Sequence, residues 1–266
     1  MTSLAKSFDD KAAPPALMDA QTYRATLEKL VAEGQGYGKT QNVGAFLLQD
    51  IKLVTETNSG KDETSKNISV EKLYIIMDLD QYPNEIGRNL VVKDIAKNWG
   101  GKIVRERDLE SPDFKGPGLW TNKKGAFEGD YMKADPSDVK SSLYVPDPNA
   151  YRVTLITDKT IKIPVQWGDF TVEAGGALAV REKDIPALAE ALQSIRDGKA
   201  TAEEALYAKD KEGKTVAKFD IYGMMPGFLE ASYKPVPLKP ETKAIAASFE
   251  DSDPTCGTRA MPRPKI

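Results

Sequence analysis

The sequence predicts an α+β fold built mostly from antiparallel strands, with a few helices packed against them. Short runs of alternating apolar and polar residues, separated by turn residues, predict strands in both halves of the chain. Other segments place apolar residues three and four positions apart, as amphipathic helices do. No internal repeat occurs at a fixed period. The 266 residues are 40% hydrophobic and 29% charged, an ordinary globular composition.

Helices are predicted where apolar periodicity meets a capping residue. One covers about 21–33, with Asp19 as N-cap and Gly34 as a left-handed C-cap. A second covers about 185–195, capped by Asp184. A short helix opens at the capping box that begins with Thr201.

The strands fall into two groups. Ala45–Val54 and Val70–Asp78 are predicted to form an antiparallel pair. From Tyr151 onwards, short alternating runs predict a β-meander or small barrel, and residues 216–223 are predicted to form a last strand.

Composition divides the chain into five parts, although one domain overall is also compatible with it. They are an N-terminal arm (1–18), an α+β part (19–108), an irregular connector (109–150), a β-rich part with helices (151–240) and a proline-rich C-terminal tail (241–266). Trp120, Phe127 and Tyr131 are expected to pin the connector. The arm and the tail are expected to bind a protein partner or to mediate self-assembly.

The glycine-rich stretch EGQGYGKTQN, residues 33–42, is not a phosphate-binding loop. In such a loop the first glycine lies five positions before the glycine of the Gly-Lys pair, which is Gly38 here. Glu33 occupies that position, and its carboxylate would repel phosphate. A helix rather than a strand precedes the stretch. We therefore expect a helix end followed by a turn.

Composition excludes several classes of chemistry. The chain has no histidine, which removes Ser–His–Asp and Cys–His catalysis and every histidine-ligated metal site. One cysteine, Cys256, permits no intrachain disulfide, and this favours a cytoplasmic protein or a particle assembled in the cytoplasm. Because the net charge is −3, we do not expect nucleic acid as a partner. Because no long apolar run occurs in the sequence, we do not expect a membrane as a partner either.

One motif carries a candidate catalytic chemistry. Asp78 and Asp80 end the apolar run LYIIMDLD, and because side chains alternate along a strand, such a pair can hold Mg²⁺ from one side of it. It resembles the D-x-D of haloacid-dehalogenase-type phosphotransferases and that of nucleotide-sugar glycosyltransferases. The segment 129–135, which contains Asp130, resembles the later acidic motif of the first family. The alternative interpretation is a strand that ends in two solvated acids.

A second candidate is a ligand platform formed by Trp167, Asp169 and Phe170, with the carboxylate as polar handle. Turn glycines and core aromatic residues are the competing explanation of this stretch.

The segments FEGDYMKAD, QWGDFTVEAGG and FDIYGMMPGFLEASYKPV, within residues 120–240, resemble a bacterial and phage family named for a Pro-Gly-Asp-Tyr-Gly motif. The resemblance implies a phage-related or accessory protein and assigns no catalytic residue. The sequence thus predicts a non-enzymatic binding or structural protein without a cofactor. The alternative hypothesis is a Mg²⁺-dependent enzyme that uses Asp78, Asp80 and Asp130.

Overall fold

The computed structural model describes residues 15–48, 73–99, 118–166, 168–210 and 213–250. Seven helices lie in this part of the chain: α1 (Ala20–Glu33), α2 (Glu85–Trp99), α3 (Lys124–Glu128), α4 (Ile185–Arg196), α5 (Ala202–Leu206), α6 (Phe228–Ser232) and α7 (Pro240–Glu250).

Fourteen strands are found in the same described ranges, and all the strand pairs whose register is known are antiparallel. They are β1 (Gln35–Lys39), β2 (Val43–Leu47), β3 (Leu73–Asp78), β4 (Leu119–Lys123), β5 (Tyr131–Lys133), β6 (Leu143–Pro146), β7 (Tyr151–Ile156), β8 (Ile161–Val165), β9 (Gly168–Val172), β10 (Ala177–Arg181), β11 (Tyr207–Lys209), β12 (Thr215–Ala217), β13 (Tyr222–Met224) and β14 (Tyr233–Pro235). The fold is α+β, as the sequence predicts.

The chain forms two compact units. The first comprises Met1–Tyr37, Arg152–Ala231 and Pro235–Ile266, and the second comprises Gly38–Tyr151 and Ser232–Lys234. Helix α1 therefore belongs with the later part of the chain rather than with the segment 19–108, because its apolar face packs on α4, α5 and α7.

The first unit contains the strands β13-β10-β7, apart from Tyr151, and two separate hairpins, β8–β9 and β11–β12. Strand β7 pairs with β10, so the β8–β9 hairpin leaves the sheet between them. No closed barrel occurs in the described ranges, and the strands after Tyr151 do not form a simple meander. The predicted last strand is two strands, β12 and β13, which pair with different partners.

The second unit is a five-stranded sheet in the order β4-β3-β2-β6-β5. Alternation along β3 sends Ile75 and Met77 to one face, where they pack with Ile95 of α2. It sends Tyr74 and Ile76 to the other face, into an aromatic cluster. The predicted antiparallel pairing of β2 with β3 is confirmed; residues 49–54 and 70–72 of the two predicted strands lie outside the described residues.

The helix signals give mixed outcomes. Asp19 caps α1 by accepting a hydrogen bond from the amide of Thr22, and Thr201 forms the predicted capping box with Glu204. Asp184 makes no side-chain cap, since it lies in a 3₁₀ turn before α4. Gly34 has an extended backbone, with φ −63° and ψ 140°, because the chain passes directly into β1. A Cβ there would overlap the carbonyl oxygen of Leu30, and this explains the glycine.

Two parts predicted to lack regular structure contain it. Residues 118–150 hold β4, α3, β5 and β6, because these strands find backbone partners in the sheet of the second unit. Residues 240–250 form α7, which buries three side chains at spacings of four and three, Thr242, Ala246 and Phe249. The rest of the predicted tail, with Cys256, and residues 1–14 of the arm lie outside the described residues.

Candidate functional site

Asp78 and Asp80 lie where β3 ends. The Asp78 Oδ1 accepts a hydrogen bond from the amide of Asp80, 2.9 Å away, so the first carboxylate stabilises the turn that follows the strand. Both residues line a pocket of about 280 Å³. Its other lining residues are Gln41, Asn42, Val43, Leu79 and Trp120.

Of the three aromatic residues predicted to pin the connector, Phe127 and Tyr131 are buried as predicted. Trp120 is 42% exposed, and the prediction that it pins the connector is wrong.

Asp130 is not brought to this pocket. The strand registers align Asp78 with Val43, Val43 with Tyr144, and Tyr144 with Lys133. Three strand spacings of about 4.8 Å therefore separate Asp78 from Lys133, roughly 14 Å in all. Asp130 lies three residues before Lys133 in the sequence, directly before β5, so β2 and β6 lie between the two carboxylates.

Asp130 belongs instead to a buried polar cluster of the second unit. It is 5% exposed, and its Oδ2 lies 3.4 Å from the Nζ of Lys39. The same ammonium group lies 4.6 Å from the ring centre of Tyr131 and 3.4 Å from its hydroxyl. The ammonium group of Lys39 offsets part of the desolvation cost of this buried carboxylate. In the ranges that the structure describes, no group of three or more Asp, Glu, Cys or His residues is arranged to hold a metal ion.

Two residues of the second predicted site, Asp169 and Phe170, contact other residues of the first unit. Trp167 lies outside the described residues. Asp169 forms an ion pair with Lys162 at 2.7 Å, and the hydrogen bond and charge of this lysine hold the pKa of Asp169 below its usual value. The ring of Phe170 fills the space above Gly223, where a Cβ would overlap it. Phe170 thus packs β9 against β13.

The structure shows a groove of about 550 Å³ in the first unit that the sequence did not reveal. It runs between the beginning of α1, helix α5 and the β11–β12 hairpin. Its lining residues are Ala20, Glu203, Glu204, Tyr207, Ala208, Lys209 and Thr215. The only sequence signal of it is a capping box followed at once by a short strand.

Strand β11 lines one side of this groove, with Tyr207, Ala208 and Lys209. Antiparallel residues alternate between pairs that exchange hydrogen bonds and pairs whose backbone groups point away from each other. The bonds from Lys218 to Leu206 and from Asp210 to Lys214 fix this alternation along β11. The backbone N–H and C=O of Lys209, and the C=O of Tyr207, therefore point away from β12. No hydrogen bond between described residues uses them.

The charge around the groove is mainly negative. Burial raises the pKa of Tyr207, and the negative charges of Glu203 and Asp19 raise it further. Glu204, in the capping box, adds a third carboxylate to this region. Among the described residues that line the groove, Lys209 is the only basic one. Its Nζ donates a hydrogen bond to the hydroxyl of Thr215, with 2.5 Å between the two atoms.

A helix long and apolar enough to cross a bilayer does not occur between residues 15 and 250 where the structure is described. Comparison of the chain with protein-family models, with curated proteins and with solved structures gave no match.

Proposed function

We propose that this protein is a non-enzymatic binding or assembly protein. The observation that carries the proposal is the groove beside Tyr207, which combines an open strand edge with a volume of about 550 Å³. An unpaired strand edge is a template for another chain, since its N–H and C=O groups lack partners. Here the strand with this edge lines the groove.

A selection from a random peptide library against the full chain tests the proposal. We expect enriched peptides that compete with one another for one surface. The absence of any enriched peptide, together with a chain that stays monomeric at all concentrations in sedimentation, would contradict a binding or assembly role.

The competing proposal is a Mg²⁺-dependent enzyme at Asp78 and Asp80, and the pocket they share with Trp120 is the observation in its favour. Thermal unfolding with and without millimolar Mg²⁺ or Mn²⁺ separates the two. A ligand that binds only the folded protein raises its melting temperature. A metal-dependent rise that is lost in Asp78→Asn would favour the enzyme; an equal melting temperature in all conditions is what the binding role predicts.

We place this role in the cytoplasm and without nucleic acid as a partner. One cysteine in 266 residues and a net charge of −3 support both statements. The resemblance of residues 120–240 to the phage and bacterial family supports an accessory role. Residues 1–14 and 251–266 remain candidates for further contacts with a partner.

A further inference from the structure

We infer that the groove beside Tyr207 binds an extended, lysine- or arginine-rich segment of a partner protein, which adds as a strand to the open edge of β11. This inference rests on the proposed binding function and specifies the chemistry of the partner. It combines three features of one place in the first unit: the strand edge, the groove next to it and the charge around it.

The edge specifies an extended backbone. Three outward groups, the C=O of Tyr207 and the N–H and C=O of Lys209, lie on the same side of β11. Ala208 and Lys209 are exposed, so a second strand can approach them. A helix cannot pair with these groups, because its own backbone groups already bond to one another.

The charge specifies a basic partner. Glu203 and Asp19 both act electrostatically on Tyr207, and Glu203 is exposed. A cationic side chain in the groove would be attracted by the carboxylates of Glu203 and Asp19 and by the face of the half-buried ring of Tyr207. An acidic segment would be repelled by the same groups. Complementary charge thus selects lysine or arginine over aspartate or glutamate.

The backbone part of the inference is tested by one pair of variants. Lys209→Pro removes the outward N–H but no bond of the β11–β12 ladder, and proline is tolerated at such edge positions. Lys209→Thr removes the same charge and keeps the N–H. The probe is a fluorescein-labelled nonapeptide of alternating lysine and threonine, and its binding to the full chain is followed by fluorescence anisotropy.

We expect Lys209→Pro to weaken binding about tenfold, because a single net hydrogen bond is worth about that factor. Lys209→Thr should bind as tightly as the original protein, or more tightly. A probe methylated on alternate backbone nitrogens should bind weakly to the unaltered protein, which tests strand addition even if Lys209→Pro fails to fold. Equal binding of the methylated and unmethylated probes would overturn the inference.

The charge part is tested by Glu203→Gln, for which Glu190→Gln is the matched control. Both residues are exposed and on helices, but Glu190 does not line the groove. We expect Glu203→Gln to weaken the lysine probe about threefold at low salt, as for an exposed ion pair, and Glu190→Gln to have no effect. Equal effects of the two variants would show attraction to the net charge alone and would overturn the inference.

The inference and the proposed function can fail separately. If library peptides compete for one surface but are acidic, or bind Lys209→Pro and the original protein equally, the inference is wrong and a binding function stands. If no peptide or protein association is found by any of these measurements, both are wrong.

Discussion

The guanidinium group of Arg88 donates a buried hydrogen bond to the hydroxyl of Ser142, with 2.8 Å between Nε and Oγ. Arg88 is 6% exposed and Ser142 is 1% exposed. The Nη1 of Arg88 also donates to the carbonyl oxygens of Tyr82 and Pro83. Gly44 leaves room for the arginine stem, which a Cβ would overlap. One arginine thereby fixes the start of α2, the turn before it and strand β2 together.

We expect Ser142→Ala to lower the free energy of unfolding by about 2 kcal/mol, because a buried charge loses one of its hydrogen bonds. Urea unfolding followed by tryptophan fluorescence measures this change. The control is Ser137→Ala, which removes an exposed serine hydroxyl from the same unit. Equal stability of Ser142→Ala and the control would mean that this bond contributes nothing.

Asp130 is expected to act in stability rather than in chemistry. Asp130→Asn removes the negative charge that lies 3.4 Å from the Nζ of Lys39 and should cost about 2 kcal/mol of unfolding free energy, as for other charged hydrogen bonds. Glu33→Gln, which breaks an exposed pair with Lys29, should cost almost nothing. If Asp130→Asn left stability unchanged, the structural assignment of this carboxylate would be wrong.

The contact between Phe170 and Gly223 predicts a steric effect. Gly223→Ala should destabilise the first unit by about 1–3 kcal/mol, because the new methyl group overlaps the ring. The double variant Gly223→Ala, Phe170→Leu should recover part of this loss, since the smaller side chain frees the space. Chemical unfolding of the three variants measures the coupling. Strictly additive losses would show that the ring does not occupy this space.

Tyr23 is only 1% exposed, and its buried hydroxyl has no hydrogen-bond partner among the residues that the structure describes. Tyr23→Phe should therefore leave the free energy of unfolding equal or raise it, because no bond is lost and a desolvated polar group is removed. Tyr23→Ala removes the ring that packs against Tyr207 and should cost about 3–5 kcal/mol. A large loss in Tyr23→Phe, seen in a urea titration, would reveal a partner for the hydroxyl.

The capping box predicts a dependence on pH. The backbone hydrogen bond to Thr201 holds the pKa of Glu204 below its ordinary value of 4.5. Because the folded pKa is the lower one, the contribution of this carboxylate is complete above pH 4.5 and is lost as the pH falls through the folded pKa. Glu204→Gln should therefore lower the melting temperature at pH 7 and have a smaller effect at pH 3. An equal difference at both pH values would count against the charged cap.

Local signals were sufficient for many of the elements. The side chains that α1 and α4 bury follow the helical period, and the caps at Asp19 and Thr201 act within four residues of chain. Alternation likewise predicted strands β7 to β10. The helix that precedes Gly34 was sufficient to reject a phosphate-binding loop, although a strand rather than a turn follows it.

The sequence by itself determined the α+β class, the faces of α1 and α4, the caps at Asp19 and Thr201 and the chemistries that a chain without histidine cannot perform, because each depends on composition or on neighbours along the chain. Apart from the pairing of β2 with β3, only the tertiary structure decided which strands pair. Pairing placed the β8–β9 hairpin outside the sheet, put two strands between Asp78 and Asp130, and left the edge of β11 open beside Tyr207. The physical reason is that a strand presents the same hydrogen-bonding groups to every candidate partner, and only packing of the whole chain selects among them.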